Sequence, residues 1–547
     1  MDSSLFNSNG SISSSTRAFE QIPISPRASQ LDRGRDSVAK AKGLDDNVVL
    51  RGFKTSDASS PMGSVQGKDM NFTSNSLLAP RPMAPLPNRT SLDSETESRT
   101  PMISVTSNAT LVKSDTTDPV HKDEKSGSSQ GNDKPNTTKN SRKRPSKVVT
   151  ISEMNLMLQR SHASSKLVKP TSAVDLEILH AKSEIENAPI VVDDSRLYSP
   201  LYRNVSMFKR SYELMEKMLK VYVYQDGDRP IFHAPILDGI YASEGWFMKL
   251  MEGNKQFVTR DPGKAHLFYI PFSSRLLELT LYVRNSHKRS NLIEYMTNYG
   301  DMIASKYPFW NRTNGTDHFA VACHDWAPAE LRGRLLSCIR TLCNADIEVG
   351  FEIGKDVSLP ETYIRSVENP VKNIGGNPPS ERPILAFFAG GLHGYVRPIL
   401  LKHWENKEPD MKITGRLSHV RGNANYLQLM KSSKYCICAR GHEVNSPRVV
   451  ESIFHECVPV IISDNFIPPL FEVLNWESFA VFVLEKDIPD LRNILLSISE
   501  ERYLEMQKRV KKVQEHFIWH AEPVKYDLFH MLLHSIWYNR LFQIGHT

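Results

Sequence analysis

The sequence predicts an α/β protein: two α/β domains facing a cleft, preceded by a long disordered stem. Three observations predict it. The first is a break in composition. Residues 1–197 contain no Tyr, Trp or Cys, and 40 of the first 150 residues are Ser or Thr. A segment so poor in aromatic anchors cannot bury enough apolar area to offset its ordering entropy. The second is a regular alternation of short apolar runs with helical patterns from residue 381 to 498, five βα units that read as a parallel sheet covered on both faces. The third is a looser alternation over 205–380, set apart by the Pro- and Gly-rich stretch 369–382.

Taken in order, residues 1–172 form the stem-like region and 173–204 a short helix and linker. Within the latter, Val174, Leu176, Ile178, Leu179 and Ile185 recur at helical spacing until Pro189. From Asn204 a helix carries Phe208, Tyr212, Met215 and Met218 into a strand at 219–224, which opens the first domain, 205–380. Further strands are expected at 265–270 and 319–322, with helices at 244–252 and 291–305. In the second domain, 381–515, strands at 384–389, 411–414, 434–438, 457–462 and 479–483 alternate with helices at 396–405, 423–432, 446–456, 466–474 and 489–498. Residues 516–547 finish the chain as helices.

Charge excludes one class of function. The chain is +6 overall, but its first 150 residues hold 21 Lys and Arg against 16 Asp and Glu, leaving +1 for residues 151–547. A folded part so near neutrality has no electrostatic footprint for nucleic acid. The basic run Lys139, Arg142, Lys143, Arg144, Lys147 reads as a solvated patch in preference to a nuclear-import signal. No apolar run approaches the ~20 residues of a membrane span, and Met1 opens no signal peptide. Yet Asn-x-Ser/Thr acceptors at Asn9, Asn71, Asn88, Asn108, Asn136, Asn204, Asn311 and Asn314 point to a lumenal protein. Six Cys permit disulfides, and their spacing makes no zinc site.

Two motifs carry most of the chemistry. After the run ILAFFA comes Gly390-Gly391-Leu392-His393-Gly394-Tyr395-Val396-Arg397. A Gly-rich turn between strand and helix offers backbone N–H groups to a nucleotide diphosphate, and Arg397 adds charge; an ordinary βα turn needing positive φ explains the glycines equally well. After KYCIC comes Ala439-Arg440-Gly441-His442-Glu443-Val444-Asn445-Ser446-Pro447-Arg448, with Glu451 following. Ser446 suits an N-cap and Pro447 the first helical position, which sets Arg448 and Glu451 on one exposed face of the first turn. Glu443 and Glu451 could accept from sugar or ribose hydroxyls while Arg448 and the helix N-terminus hold phosphate. The competing explanation is a cap plus a helical ion pair. In the first domain, His324 and Asp325 follow the strand HFAVA and are candidates for a general base, although Asp325, three residues before Pro328, also fits a helix cap.

Three other signals are set aside. Asp226-Gly227-Asp228 reads as a turn and not a metal site, and Met207, Met215 and Met218 as packing. His516 with His520, and His530 with His534, lack the adjacent Glu of a metalloprotease and read as surface histidines.

The stretches VYVYQDGDRPIFH, GIYASEGWFMKLME, DPGKAHLFYIPFS, HFAVACHDWAP, GKDVSLPET, LAFFAGGLHGYVRPILLKHW, KYCICARGHEVNSPRVVESI, CVPVIISDNFIPPLFEVLNW and FHMLLHSIWYNR resemble the exostosin-like family 47 glycosyltransferases of plants. They run over about 205–540, with the exostosin-like region itself at about 205–500. The resemblance implies a GT-B fold of two Rossmann-like domains, with acceptor mostly on the first and nucleotide sugar on the second. It implies inverting transfer from a UDP-sugar to a hydroxyl of a cell-wall polysaccharide or glycan. Arg397, Arg448, Ser446 and the helix N-terminus, with Gly390 and Gly391, then face the diphosphate, Glu443 and Glu451 the donor hydroxyls, and Asp325 or His324 takes the proton. No metal or other cofactor is expected, nor any nucleic-acid partner; other glycosyltransferases are candidate partners. The alternative is a non-catalytic carbohydrate-binding or scaffolding subunit with the same fold. Relatives are type II Golgi membrane proteins with a signal anchor before the stem. This chain shows stem without anchor, which a shortened gene model or splice form explains.

Overall fold

The protein is described here by a computed structural model covering residues 147–163, 169, 170, 172–192, 194–415, 417 and 424–545. Of the stem expected over 1–172, residues 1–146, with five of the sequons and most of the basic run, lie outside the described residues. Thr150 and Glu153 form a capping box: Thr150 Oγ1 accepts from the Glu153 amide at 3.3 Å, and Glu153 Oε2 accepts from the Thr150 amide at 2.9 Å. They open α1 (Ile151–His162), which buries Met154 and Leu158 and stacks His162 on Phe542, 4.2 Å between ring centres. The stem boundary expected at 172 is therefore corrected, because 151–162 belong to the folded body.

Ser172 caps α2 (Ala173–Glu186), and Asn204 caps α3 (Val205–Met218), which leads into β1 (Val221–Val223). There follow α4 (Ala242–Glu252), β2 (Val258–Thr259), β3 (Leu267–Ile270), α5 (Ser274–Leu281), α6 (Ser290–Lys306), α7 (Phe309–Thr313), β4 (His318–Ala322), α8 (Ala327–Glu330), β5 (Ile339–Leu342) and β6 (Val357–Ser358). These strands form one parallel sheet in the order β2-β1-β3-β4-β5-β6, with Val221 beside Leu267, Phe268 beside His318 and Phe319 beside Ile339. LFYI and HFAVA are buried throughout, as a sheet covered on both faces requires. A disulfide, Cys323–Cys343, ties the carboxyl ends of β4 and β5. The 226–228 segment is the expected turn. Gly227 has φ +108°, and Asp226 is held by Lys306 and by the Tyr307 hydroxyl at 2.8 Å.

Beyond 369–382 a second sheet is built from β7 (Ile384–Ala389), α9 (Val396–Trp404), β8 (Met411–Thr414), α10 (Ala424–Lys431), β9 (Ser433–Ala439), α11 (Arg448–Phe454), β10 (Val458–Ile462) and β11 (Val481–Phe482). It is also wholly parallel, in the order β11-β10-β9-β7-β8, with Ala386 between Met411 and Tyr435. The disulfide Cys436–Cys457 joins β9 to the start of β10. The helix expected at 466–474 does not form. Pro468 and Pro469 remove two backbone donors there, and the segment instead docks on the first sheet, with the Ile467 amide on Ala345 O at 3.0 Å and Ser358 Oγ on Ile467 O at 2.7 Å. After α12 (Leu491–Leu496) and α13 (Glu500–Val513), α14 (Leu528–Gln543) returns to the first half, where Arg540 pairs with Asp175 at 3.1 Å. Two parallel sheets with covering helices make this an α/β, GT-B-like fold.

Three of the four histidines expected on the surface, His516, His530 and His534, are buried, and His520 is partly so. His516 meets the Tyr202 hydroxyl at 2.7 Å, His534 meets Ser211 Oγ at 2.7 Å, and His530 is buried beside Asp527. His530 and His534 do share α14, but that helix is covered on all sides and has no solvent face to present; His516 and His520 share no helix, because a 3₁₀ turn ends at Phe517 and 518–520 are irregular.

Candidate active site

In the second sheet the chain steps from β7 outward to β8, then returns to place β9 on the other side of β7. Strand order thus reverses between β7 and β9, and the loops after these strands frame the crevice where open α/β sheets bind ligands. The two loops touch backbone to backbone. Gly394, at φ +69°, is so close that a Cβ there would lie 1.8 Å from Gly441 O. A Cβ on Gly390 would lie 2.3 Å from Arg448 Nη2, so this glycine makes room for a guanidinium and does not serve a positive φ. Gly391 has the His393 ring against it in the same way.

Two arginines are fixed beneath these loops by backbone carbonyls. Arg448 donates from Nη2 to Ala389 O at 2.7 Å and from Nε to the same oxygen at 3.2 Å, and lies over the Phe388 ring. Arg397, buried, donates from Nε to Ala439 O and from Nη1 to Gly391 O, each at 3.3 Å. Burial, and then the charge of Arg448, pulls Arg397 down to about 10. Among the described residues neither arginine has a carboxylate within ion-pair distance. Each has N–H donors left over, so the pair forms a preorganised anion site.

Ser446 is not at the cap position of α11 but one residue outside it, where its Oγ accepts from the Arg448 amide. Pro447 occupies the cap position without a side-chain bond, and Ser446 Oγ stands 3.4 Å from both the amide and Nη1 of Arg448. Nor do Arg448 and Glu451 share an exposed face. Glu451 is buried, accepting from Arg365 Nη2 at 2.9 Å and from the Tyr426 hydroxyl at 2.9 Å. Glu443 turns the other way, accepting from Asn344 Nδ2 at 2.7 Å. The two glutamates, eight residues apart, therefore share no partner.

Asn344 follows β5, so Glu443 marks the place where the carboxyl ends of the two sheets meet. The same Asn344 amide group also donates to Asp325 O at 3.1 Å. The Asp325 side chain does not cap α8; Trp326 is the cap residue, and Asp325 instead takes a hydrogen bond from the Tyr241 hydroxyl. Burial pushes Asp325 up to about 6, and the Glu443 charge adds to the rise. Such a carboxylate is a base near neutrality. His324 is placed differently. Its ring packs against Tyr241 and Trp326, its Nδ1 accepts from the Trp326 amide at 3.3 Å, and burial holds it down to about 3. With Nδ1 occupied, Nε2 carries the proton, which makes His324 a neutral donor.

Sequence reasoning missed Glu361, Asn344, Asn445 and Glu244. Glu361 accepts from Asn445 Nδ2 at 2.8 Å, across the junction of the two halves. Glu244 is fully enclosed in α4 and holds the chain before His324, accepting from the Cys323 amide at 2.6 Å, the Arg275 amide at 3.0 Å and Ser273 Oγ at 2.6 Å. An acidic residue inside an amphipathic helix gives no sign of such a role. For Glu361 the only signal was an acid just past a short apolar run.

An α/β protein whose two parallel sheets meet at their carboxyl ends, with an anion site at one switch point and carboxyls opposite, has the architecture of a transferase acting on nucleotide-linked substrates. Known proteins agree: residues 215–498 match the Exostosin GT47 domain. A probable glycosyltransferase of Arabidopsis thaliana is 44% identical over 375 residues, 67% of this chain and 72% of that protein. A probable glucuronosyltransferase of Physcomitrium patens is 31% identical over 302 residues, 51% of this chain and 65% of the relative. A probable beta-1,4-xylosyltransferase of A. thaliana is 27% identical over 301 residues, 51% and 71%. The chain belongs to the exostosin GT47 family and is a glycosyltransferase, a class that transfers a sugar from a nucleotide-sugar donor to a glycan acceptor.

Proposed function

We propose that the protein transfers a sugar, with inversion, from a UDP-sugar to a hydroxyl of a cell-wall polysaccharide or related glycan. The observation that carries this reading is the opposition of two guanidiniums without ion-pair partners among the described residues, Arg397 and Arg448, to the Asp325 carboxyl where the strand ends meet. The acceptor oxygen bonds to the anomeric carbon while its proton passes to the Asp325 carboxylate. The bond from that carbon to the diphosphate oxygen breaks, and its electron pair leaves with UDP. Arg397 and Arg448 stabilise the departing charge, and their presence supports transfer without a divalent cation. Gly390 and Gly391 leave the space that the Arg448 guanidinium and the His393 ring fill; Ser446, beside Arg448, lies at the diphosphate, and Glu443 meets a donor hydroxyl. The names of the relatives make UDP-glucuronic acid and UDP-xylose the first donors to try.

We infer further that the folded part resides in the Golgi lumen on a type II membrane protein. Two disulfides suit an oxidising compartment, and the sequon residues Asn204, Asn311 and Asn314 are exposed. No described helix is long and apolar enough to cross a membrane. A glycosidase-sensitive mobility shift of the protein from plant membranes supports this compartment, and its absence overturns it. For the reaction, the test is UDP release by the full chain over a panel of UDP-sugars and oligosaccharides, with and without chelator. Absence of UDP binding by calorimetry overturns the donor assignment.

A further inference from the structure

Glu361 is the carboxyl for which neither the proton transfer nor the diphosphate site has a use. Its backbone is clamped on both sides: the Leu359 amide donates to Leu342 O at 2.9 Å, Ser243 Oγ donates to Pro360 O at 2.6 Å, and Ile364 exchanges backbone bonds with Gly239 at 2.9 and 3.1 Å. That clamp fixes the side chain, 7% exposed, at the junction of the two halves, where Oε2 accepts from Asn445 Nδ2. Asn445 is itself buried, and its Oδ1 has no partner among the described residues, so the junction keeps an unused acceptor beside this carboxyl.

The charged and titratable neighbours come from every surrounding element. Asp325 and Tyr241 face Glu361 from the first half, and Arg397 and Arg448 from the second, with Glu443 behind Asp325. Two buried carboxyls in one site do not both ionise. Since Asp325 must be the carboxylate, Glu361 holds the proton, and it holds it on Oε1 because Oε2 already accepts. We propose that Glu361 is a further catalytic residue of this glycosyltransferase: a neutral carboxylic acid that donates from Oε1 to the sugar-diphosphate bound between Asp325 and the arginine pair. The proton is not transferred. It stabilises donor oxygen charge as the anomeric bond breaks, and Glu361 stays neutral through the cycle. Burial, reinforced by the Asp325 charge, pushes Glu361 up to about 8, in keeping with that state.

The inference rests on the proposed transfer and is tested apart from it. The experiment records the pH profile of kcat/KM for the full chain, its Glu361→Gln and Glu361→Ala variants and Asp325→Asn, with the donor found active in the UDP-release panel. For wild type the rate rises with pH to a limb near 6, as Asp325 ionises, and falls above a limb near 8, as Glu361 does. Glu361→Gln keeps an N–H donor that cannot ionise, so it stays within about tenfold of wild type at neutral pH and loses the alkaline limb; Glu361→Ala, with no donor, falls about ten- to a hundredfold. The infrared difference between wild type and Glu361→Gln at pH 7 shows a protonated-carboxyl band. An unchanged alkaline limb in Glu361→Gln, a loss there as deep as in Asp325→Asn, a missing infrared band, or wild-type activity in Glu361→Ala each overturns the inference. If instead Asp325→Asn retains full turnover, the underlying transfer reading fails, whatever Glu361 does.

Discussion

The carboxyl ends of the two parallel sheets occupy equivalent positions in their folds, and one gathers carboxyls where the other gathers arginines. On the first, Asp325, Glu361 and Asp346 are carboxyls that burial pushes up to about 6, 8 and 6. Their backbone is held by the Cys323–Cys343 disulfide and by Glu244 under the loop. On the second, Arg397 and Arg448 are fixed by main-chain carbonyls and glycine-lined space, with no ion-pair partner among the described residues. Strand-end loops in a parallel sheet accept either chemistry. What the difference teaches is a division of labour: the chemistry of one face suits a proton and that of the other suits an anion, as the proposed transfer requires.

The sharpest way to break this comparison is Asp325→Asn, which turns the proton-accepting face neutral. Removing a general base costs about 10²–10⁴-fold in kcat, while UDP affinity should be unchanged. Stability should move the other way. The folded pKa, about 6, stands above the ordinary 3.8, so the native state loses stability as pH rises from about 4 to 6 and stays lower above that. Asn does not ionise, and thermal melts at pH 7–8 should show the variant more stable by on the order of 1–3 kcal/mol. A variant that keeps its turnover ends the assignment.

The matching change on the basic face is Arg448→Ala. A charge-assisted hydrogen bond is worth roughly 1.5–3 kcal/mol, so calorimetry should show UDP binding about ten- to a hundredfold weaker. Equal UDP affinity in variant and wild type would show that the guanidinium serves only to anchor Ala389.

Much of the basic face was legible in the sequence because its signals are local. The strand bounds 384–389 and 411–414 coincide with Ile384–Ala389 and Met411–Thr414, and the Gly-rich loop stands next to the arginine it makes room for. The acidic face was half legible. His324 and Asp325 end an apolar strand, but β5 is hidden by Arg340, a charge buried in mid-strand against Asp356, and β6 is two residues long. Asn344 and Glu361 follow those two strands and so went unnoticed. The partners of Glu443 and Glu451 were not legible at all, since both come from distant segments. Thr150-x-x-Glu153, by contrast, was a readable helix start within the stem-like region.

A smaller effect tests whether the two loops of the basic face form one rigid cradle. Gly394→Ala places a Cβ against Gly441 O at a positive φ. Strain of this kind costs of order 1–3 kcal/mol, which thermal melts should register as a fall in Tm, with UDP affinity falling alongside it as the loops part. A drop in Tm with UDP affinity intact would show that the loops support the fold without shaping the anion site.

The smallest expected effect asks whether Glu451 is a working carboxylate of the basic face. Glu451 begins the same short helix as Arg448, and on sequence alone it was a candidate for donor hydroxyls. Both of its oxygens are taken, one by Arg365 and one by Tyr426, and it lines a small cavity with Tyr363, Pro370 and Leu427. Glu451→Gln removes the ion pair with Arg365, itself 36% exposed, while keeping shape and one acceptor. A pair open to solvent on one side is worth about 1 kcal/mol or less, so Tm should fall slightly and UDP affinity should stay within about threefold. Should UDP binding instead weaken tenfold or more at unchanged Tm, Glu451 leaves Arg365 for the nucleotide, and the donor face then carries a working acid beside its arginines.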